Sequence, residues 1–375
     1  MRPAIHRPAV VTVDLEAIKN NVSVVQKSNP NKKVLAVVKA NAYGHGAVAV
    51  SKASLSAGAA GLCVACLDEG LELTDAGIKP SLLLVLGVIE PIYAPIAANA
   101  GITLTAPSVD WLRQVQLVLA SQVEKPLPLK VHLALDTGMG RIGLKTEDEI
   151  KEAEELCDAS ERIQLDGVFT HFSTADSKDN SLTIKQYNRF RALVRAFNKR
   201  PNWVHCDNSA AGIWHTDLES DAVRLGMALY GLDPSLKVLD FPSDFKPALS
   251  FTTEIAHIKQ TQAGDTVGYG ATYRSEEPEW IATLPIGYAD GWLRRFSHVP
   301  VIVDGHKCPI VGRICMDQLM IKVPACYPAG QKVTLIGTDH GVTITADDIA
   351  LATDTIGHEI LCGLSGRLPR DYTNS

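Results

Sequence analysis

Between Val34 and Gly231 the chain repeats one pattern: a short apolar, β-rich run, then a helical stretch. The runs are V-L-A-V-V-K, G-L-C-V-A-C, S-L-L-L-V-L-G, I-T-L-T-A, K-V-H-L-A-L-D-T, L-D-G-V-F-T-H-F, W-V-H-C-D-N-S and A-V-R-L-G-M-A-L-Y-G. Helices are expected between several of them, among them Thr146 to Asp158 and Ser181 to Lys199. The first of these, T-E-D-E-I-K-E-A-E-E-L, opens with a threonine cap and early acids. Eight such runs alternating with helices over about 200 residues predict a (β/α)8 TIM-like barrel.

After about Leu239 the pattern changes. Residues 249–260, 265–273, 280–288, 300–305, 307–323 and 331–337 read as strands, and long helices are scarce until Ala346. The turns A-G-D, V-D-G and P-A-G separate several of them. The expected division is therefore a barrel over 10–239 and a mostly β domain over 240–375. Residues 1–15, which carry the strand V-V-T-V-D-L, are expected to join the second domain. A chain of 375 residues is long enough for two or three domains, and 46% hydrophobic residues fill ordinary cores.

A net charge of −6 with the signs mixed throughout predicts neither a nucleic-acid nor a membrane surface. The start, M-R-P-A-I-H-R-P-A-V, lacks the apolar run of a signal peptide. The most apolar later stretch, Ser81 to Ile102, is broken by Glu90, Pro91 and Pro95 and makes a poor membrane span. Eight scattered cysteines without a secretion signal read as free thiols in a reducing cytoplasm. Cys63 and Cys66, three apart on one run, face opposite sides of a strand, so packing explains them better than a shared metal.

Polar residues gather where the runs end: Lys39, Asp136, His171, Asn208 with Ser209, and Arg224. In a (β/α)8 barrel the C-terminal strand ends form the active-site face. Lys39 follows five apolar residues directly. Partial desolvation lowers the pKa of such an amine and lets it form a Schiff base with an aldehyde. A surface lysine at a strand end is the plainer reading of that residue alone. It is outweighed by the company at the same face, namely Tyr43, Arg141, His171, Asn208, Ser209 and Arg224. Tyr43, Ser209 and the backbone amides of G-M (Gly226, Met227) suit a phosphate.

G-M-G-R-I-G (Gly138 to Gly143) matches a dinucleotide fingerprint. Such a site needs an acid at the end of the next strand. That strand ends near His171 instead, and Arg141 interrupts the motif. The run reads as a glycine-rich loop presenting Arg141.

Nine segments, in order from about Arg7 to Tyr372, closely resemble the bacterial alanine racemases, which use pyridoxal 5'-phosphate. They are A-V-V-K-A-N-A-Y-G-H-G, D-T-G-M-G-R-I-G, T-H-F-S-T-A-D, N-S-A-A, V-R-L-G-M-A-L-Y-G, V-G-Y-G-A-T-Y, P-I-G-Y-A-D-G-W, G-R-I-C-M-D-Q and R-L-P-R-D-Y. The resemblance implies a barrel plus a β domain, interconversion of L- and D-alanine for peptidoglycan, and a cytoplasmic homodimer with shared active sites. It casts Lys39 as cofactor anchor and one acid/base group. Tyr269 is cast as the other, reaching in from the second subunit. Two groups on opposite faces suit a reaction that removes a proton from one side of Cα and returns it on the other. The resemblance further implies a relay of His171 and Arg224 behind Tyr269, with Arg224 facing the pyridine nitrogen. It places Arg141 and Met316 on the substrate carboxylate and Tyr288 at the entryway. Tyr43, Asn208, Ser209, Gly226, Met227 and Tyr372 are cast as cofactor-binding.

One position departs from the pattern. Many members carry a carbamylated lysine two residues before the aspartate of D-T-G-M-G-R, and here Ala134 stands there. Water, a bound anion such as chloride, or another side chain is then expected to support Arg141. Three rival readings are a decarboxylase on the same scaffold, a cofactor-binding protein without turnover, and a racemase for serine or a broader set. The first lacks its G-G-G run and meets Arg224 where it needs an acid. The second leaves Tyr269 unexplained.

Overall fold

The structure is a computed structural model that describes residues 3–123 and 126–374. By its contacts the chain forms two units. One comprises Ile18–Ala42 and Ala47–Lys246; the other comprises the residues up to Ala17, Tyr43–Gly46, and those from Pro247 onward.

The first strand, β1 (Ala9–Asp14), belongs to the second of these units. Eight parallel strands make the first: β2 (Lys33–Val37), β3 (Gly61–Val64), β4 (Leu83–Val85), β5 (Thr103–Ala106), β6 (Leu129–Ala134), β7 (Ile163–Phe169), β8 (Trp203–His205) and β9 (Ala222–Leu225). They are joined in the order β8-β7-β6-β5-β4-β3-β2-β9. A bridge between Asp207 and Val223 brings the last strand back to β8, so the sheet all but closes into the TIM-like barrel. β3, β4, β5 and β9 are buried at every residue. Strands covered on both faces read as continuous apolar runs, and this made them visible in the sequence.

The helix expected from Thr146 runs over Glu147–Asp158, with the Thr146 hydroxyl accepting Glu149 N–H at 3.2 Å and the Glu149 carboxylate accepting Thr146 N–H at 3.0 Å. The helix expected over Ser181 to Lys199 stops at Val194. The carboxylate of Glu154, from the preceding helix, accepts the amides of Asn198 at 2.9 Å and Lys199 at 3.0 Å. Those amides are thereby held in a loop.

Segment 240–246 stays with the barrel. Asn20 Nδ2 donates to the Asp244 carbonyl at 2.8 Å, and Asn21 Nδ2 donates to the carbonyls of Lys246 at 2.8 Å and Leu229 at 3.0 Å.

In the second unit, β1 runs antiparallel to Leu249–Glu254 and parallel to Arg370–Thr373. A separate four-stranded sheet contains His257–Thr261, Glu279–Leu284, Ile310–Val311 and Leu319–Val323. The run expected as one strand over 249–260 is thus two strands in two sheets. That expected over 265–273 is a two-residue hairpin arm, Thr266–Val267, followed by the turn Tyr269–Ala271. Glycine at 268 and 270, both with positive φ, ends the pairing there. No helix among the described residues is long and apolar enough to cross a membrane.

Candidate active site

Lys39 stands where β2 ends, partly buried behind the fully covered Val34–Val38. It opens an unusual turn. Ala40 (φ 52, ψ 49), Asn41 (φ 53, ψ 47), Ala42 (φ 53, ψ 51) and Tyr43 (φ 52) all lie in the left-handed region. Each L-residue there costs about 1–2 kcal/mol, so surrounding bonds must hold the turn. Ala40 N–H donates to the Glu69 carboxylate at 2.6 Å, and Asn41 Oδ1 accepts Ala47 N–H at 2.9 Å. Further on, a Cβ at Gly46 (φ 102) would overlap the Tyr372 hydroxyl, which puts Tyr372 against this turn. Arg370 Nε donates to the Gly44 carbonyl at 3.1 Å.

Arg224, on β9, is a buried cation. Its Nη1 donates to His205 Nδ1 at 2.7 Å, and its Nη2 donates to the carbonyls of Thr170 at 2.7 Å and Cys206 at 3.1 Å. Nη2 also lies 3.4 Å from His171 Nδ1. No carboxylate forms an ion pair with it among the described residues. Burial, followed by the charges of Arg224, Arg141 and Lys39, pushes the His171 imidazole down to about 3. His171 is therefore neutral at physiological pH, with Arg224 against it and the positive charges of Arg141 and Lys39 also bearing on it.

The loop after β6 presents Arg141. The Asp136 carboxylate accepts the amides of Gly138 at 3.1 Å and Gly140 at 2.9 Å, with Lys145 Nζ 3.3 Å away. Burial works against its charge, yet these amides and Lys145 hold its pKa below the usual range. Glycine is required at 143 (φ 123), where a Cβ would sit 2.8 Å from the Ala134 carbonyl. The Arg141 side chain itself is exposed and makes no hydrogen bond or ion pair to another described residue.

Behind His171, Gln186 Nε2 donates to the His171 carbonyl at 3.1 Å, and Gln186 Oε1 accepts Ser173 N–H at 3.0 Å. Ser209 Oγ accepts Gly226 N–H at 2.8 Å, and Met227 opens the short turn Met227–Tyr230. Asn208 is committed differently from its neighbours. Its Oδ1 accepts Ala211 N–H at 2.9 Å and its Nδ2 donates to the Phe172 carbonyl at 3.4 Å, so it caps a turn of helix and ties down the His171 loop.

The remaining sequence candidates lie in the other unit. Tyr269 is 71% exposed on its glycine-flanked turn. A Cβ at Gly270 would lie 3.2 Å from an Arg313 guanidinium nitrogen. Tyr288 N–H donates to the Cys315 carbonyl at 3.1 Å and Ala289 N–H to the Met316 carbonyl at 3.0 Å, which sets Tyr288 and Met316 on joined loops. The buried Asp290 carboxylate holds that corner, accepting Gly287 N–H at 3.0 Å and pairing with Arg7 and Arg367.

Two buried residues beside Arg224 in the barrel escaped sequence reasoning: His132 and His205. The available signal was a histidine inside an otherwise apolar run, in K-V-H-L-A-L and W-V-H-C-D.

Comparison with known proteins agrees with this architecture. Residues 13–234 match the family model "Alanine racemase, N-terminal domain", and residues 248–372 match "Alanine racemase, C-terminal domain". An alanine racemase of Ligilactobacillus salivarius is 46% identical over 98% of each chain. The crystal structure of alanine racemase from E. faecalis superposes with a TM-score of 0.96 at 42% identity, covering 100% of both chains. A histidine racemase from Leuconostoc mesenteroides superposes at 0.93 with 33% identity, again over 100% of both. With both halves matched and nearly the whole length shared, the chain belongs to the alanine racemase family.

Proposed function

We propose that the protein is a pyridoxal-phosphate-dependent racemase that interconverts L- and D-alanine, supplying D-alanine for peptidoglycan from the cytoplasm. The observation that carries the cofactor reading is a neutral His171 against Arg224, under the positive charges of Arg141 and Lys39, with no carboxylate paired to Arg224 among the described residues. Such a positive site suits an anionic, phosphorylated aldehyde. That cofactor, when bound, supplies an electron sink for the electrons left at Cα after deprotonation.

In this reading Lys39 anchors the aldehyde and serves one face of the substrate. Tyr43, Asn208, Ser209, Gly226, Met227 and Tyr372 hold the cofactor, Asn208 acting through the His171 loop that it fastens. Arg224 presents a fixed positive charge to the ring nitrogen and disfavours its protonation, which weakens the sink and suppresses side reactions such as transamination. Arg141 and the Met316 backbone hold the substrate carboxylate, and Tyr288 narrows the entry. An anion or water, not a carbamate, supports Arg141, because Ala134 has no amine.

Tyr269 serves the opposite face from the partner of a homodimer. Its exposure in a single chain supports this assignment. Arg224 donates to His171 Nδ1, which leaves the His171 proton on Nε2, where it is able to stabilise a phenolate. The Leuconostoc histidine racemase shows that near-identical backbones serve other amino acids, while the greater identity to alanine racemases favours alanine.

The test is incubation of the protein, pyridoxal phosphate and pure L-alanine in deuterated water, with chiral chromatography and mass detection. D-alanine carrying deuterium at Cα is the expected product. Exchange with retained L configuration would mean that one face alone is served. No exchange with alanine, but exchange in a panel containing serine and histidine, would reassign the substrate.

A further inference from the structure

A chain of buried polar groups runs from Arg224 into the barrel interior. Arg224 Nη1 donates to His205 Nδ1 at 2.7 Å, so the proton of neutral His205 is on Nε2. His205 Nε2 lies 3.0 Å from His132 Nδ1, which must accept, so the proton of His132 is on Nε2 as well. His132 Nε2 has no hydrogen-bond partner among the described residues and lies 3.7 Å from Asp166 Oδ2. The other oxygen, Oδ1, accepts Asn202 Nδ2 at 2.9 Å. His132 and His205 are completely buried, Arg224 and Asp166 nearly so.

The backbone is shaped for this alignment. β6 and β7 pair in register until Val131 meets Leu165; then His132 meets Gly167, and Asp166 is the extra residue of a bulge. Bulges re-aim side chains. Beside it, a Cβ at Gly167 would lie 2.5 Å from His132 Nε2, so only glycine leaves room for the ring. A bulge and a glycine at adjacent positions both serve one imidazole–carboxylate pair, which is more than a histidine satisfied in a core requires.

We propose that Asp166, His132 and His205 act as positioning residues that fix the Arg224 guanidinium and pass part of the Asp166 negative charge to it. The inference rests on the reading that Arg224 faces the ring nitrogen of the cofactor. His205 donates to His132 and accepts from Arg224, and the His132 Nε2–H faces the Asp166 carboxylate across 3.7 Å, so the negative charge acts through space to strengthen each acceptor along the line. Burial pushes both imidazoles down in pKa, His205 well below its ordinary value, which keeps them neutral. The His132 ring is the largest influence holding Asp166 below the usual carboxylate range. Other charged or titratable groups stand near: Lys130 toward His132, and Cys63, Cys206, Asp207 and Arg141 toward Arg224. None of them is hydrogen-bonded to His132 or His205 among the described residues.

The experiment compares the full-length protein with Asp166→Asn, which keeps size and shape and removes the charge. Nitrogen-15 NMR of histidine-labelled protein, before and after adding pyridoxal phosphate, reads the tautomers. The pH titration of the bound cofactor's absorbance reads the charge at Arg224. Expected in the parent protein are neutral His132 and His205, both protonated at Nε2. In Asp166→Asn the His205 Nδ1 resonance shifts, the cofactor titration moves to lower pH, and KM for alanine stays unchanged. A proton on Nδ1 of either ring, or a variant whose His205 shifts match the parent's, would overturn the proposal. If Asp166→Asn does not fold, the parent tautomers decide. A protein that takes up no cofactor would sink the functional reading, while the nitrogen shifts of the cofactor-free protein would still judge the relay.

Discussion

At the scale of single residues, two side chains separate binding from turnover. Lys39→Ala removes the anchoring amine, so the visible absorbance of bound cofactor and racemisation in both directions are lost together. Tyr269→Phe keeps that absorbance, and racemisation falls by about 10²–10⁴-fold, the range for loss of one acid/base group. Absorbance spectra and polarimetry on the two variants check both, and a Tyr269→Phe variant of near-parent activity would end the two-base assignment. Ala134 yields a third expectation: activity does not respond to added bicarbonate, measured at constant ionic strength. At this scale the sequence was most legible at Lys39, His171 and Arg224, which fall where apolar runs end, and at Arg141, which the glycine-rich run marks as a loop residue. His132 and His205 were not legible, because the apolar strands around them give no sign of which ring will meet which. Only the barrel closure and the slip at Asp166 decide that.

At the scale of elements, strands were readable and their interruptions were not. The alternation of apolar runs and helices fixed the barrel strands because burial on both faces leaves a strong mark. Past the end of the helix at Val194, the amides of Asn198 and Lys199 are held by the carboxylate of Glu154, far away in sequence. The left-handed turn over 40–43 was invisible for another reason. Its residues are Ala, Asn, Ala and Tyr, and only asparagine commonly favours that conformation. Such strain predicts a direction for mutation. Ala40→Gly removes a left-handed alanine at an exposed position, offset in part by the greater freedom of glycine in the unfolded chain. The net effect expected is a gain of up to about 1 kcal/mol, read as a raised midpoint in urea unfolding.

At the scale of the whole molecule, stability and assembly become the observables. His171, His132 and His205 all have pKa values lowered in the fold, His171 to about 3 from an ordinary 6.5. Between those limits the unfolded chain binds more protons than the folded one, so stability is full above about pH 6.5 and falls as the pH drops toward 3. Each such histidine adds up to about 1.4 kcal/mol per pH unit to that loss. Urea unfolding at several pH values checks it, and a midpoint flat from pH 7 to pH 4 would contradict the neutral-histidine assignment. The dimer expectation is tested by sedimentation under assay conditions, where a fully active monomer would exclude a shared site.

The Tyr43–Gly46 turn has a consequence for synthesis. It lies four residues past the proposed cofactor lysine, yet it belongs by its contacts to the unit that contains the residues from Pro247 onward. Arg370, which donates to the Gly44 carbonyl, stands 326 residues further along the chain, and Tyr372 lies against Gly46. At about 5–20 residues per second, Lys39 leaves the ribosome well before the groups that secure its neighbour exist. The barrel strands are able to pair while the chain is still growing, but the turn beyond the lysine is fastened only once Arg370 and Tyr372 have been made. If Lys39 anchors the cofactor as proposed, capture is expected to await synthesis of that segment, and a chain truncated before Arg370 is expected to bind the cofactor more weakly in an absorbance titration.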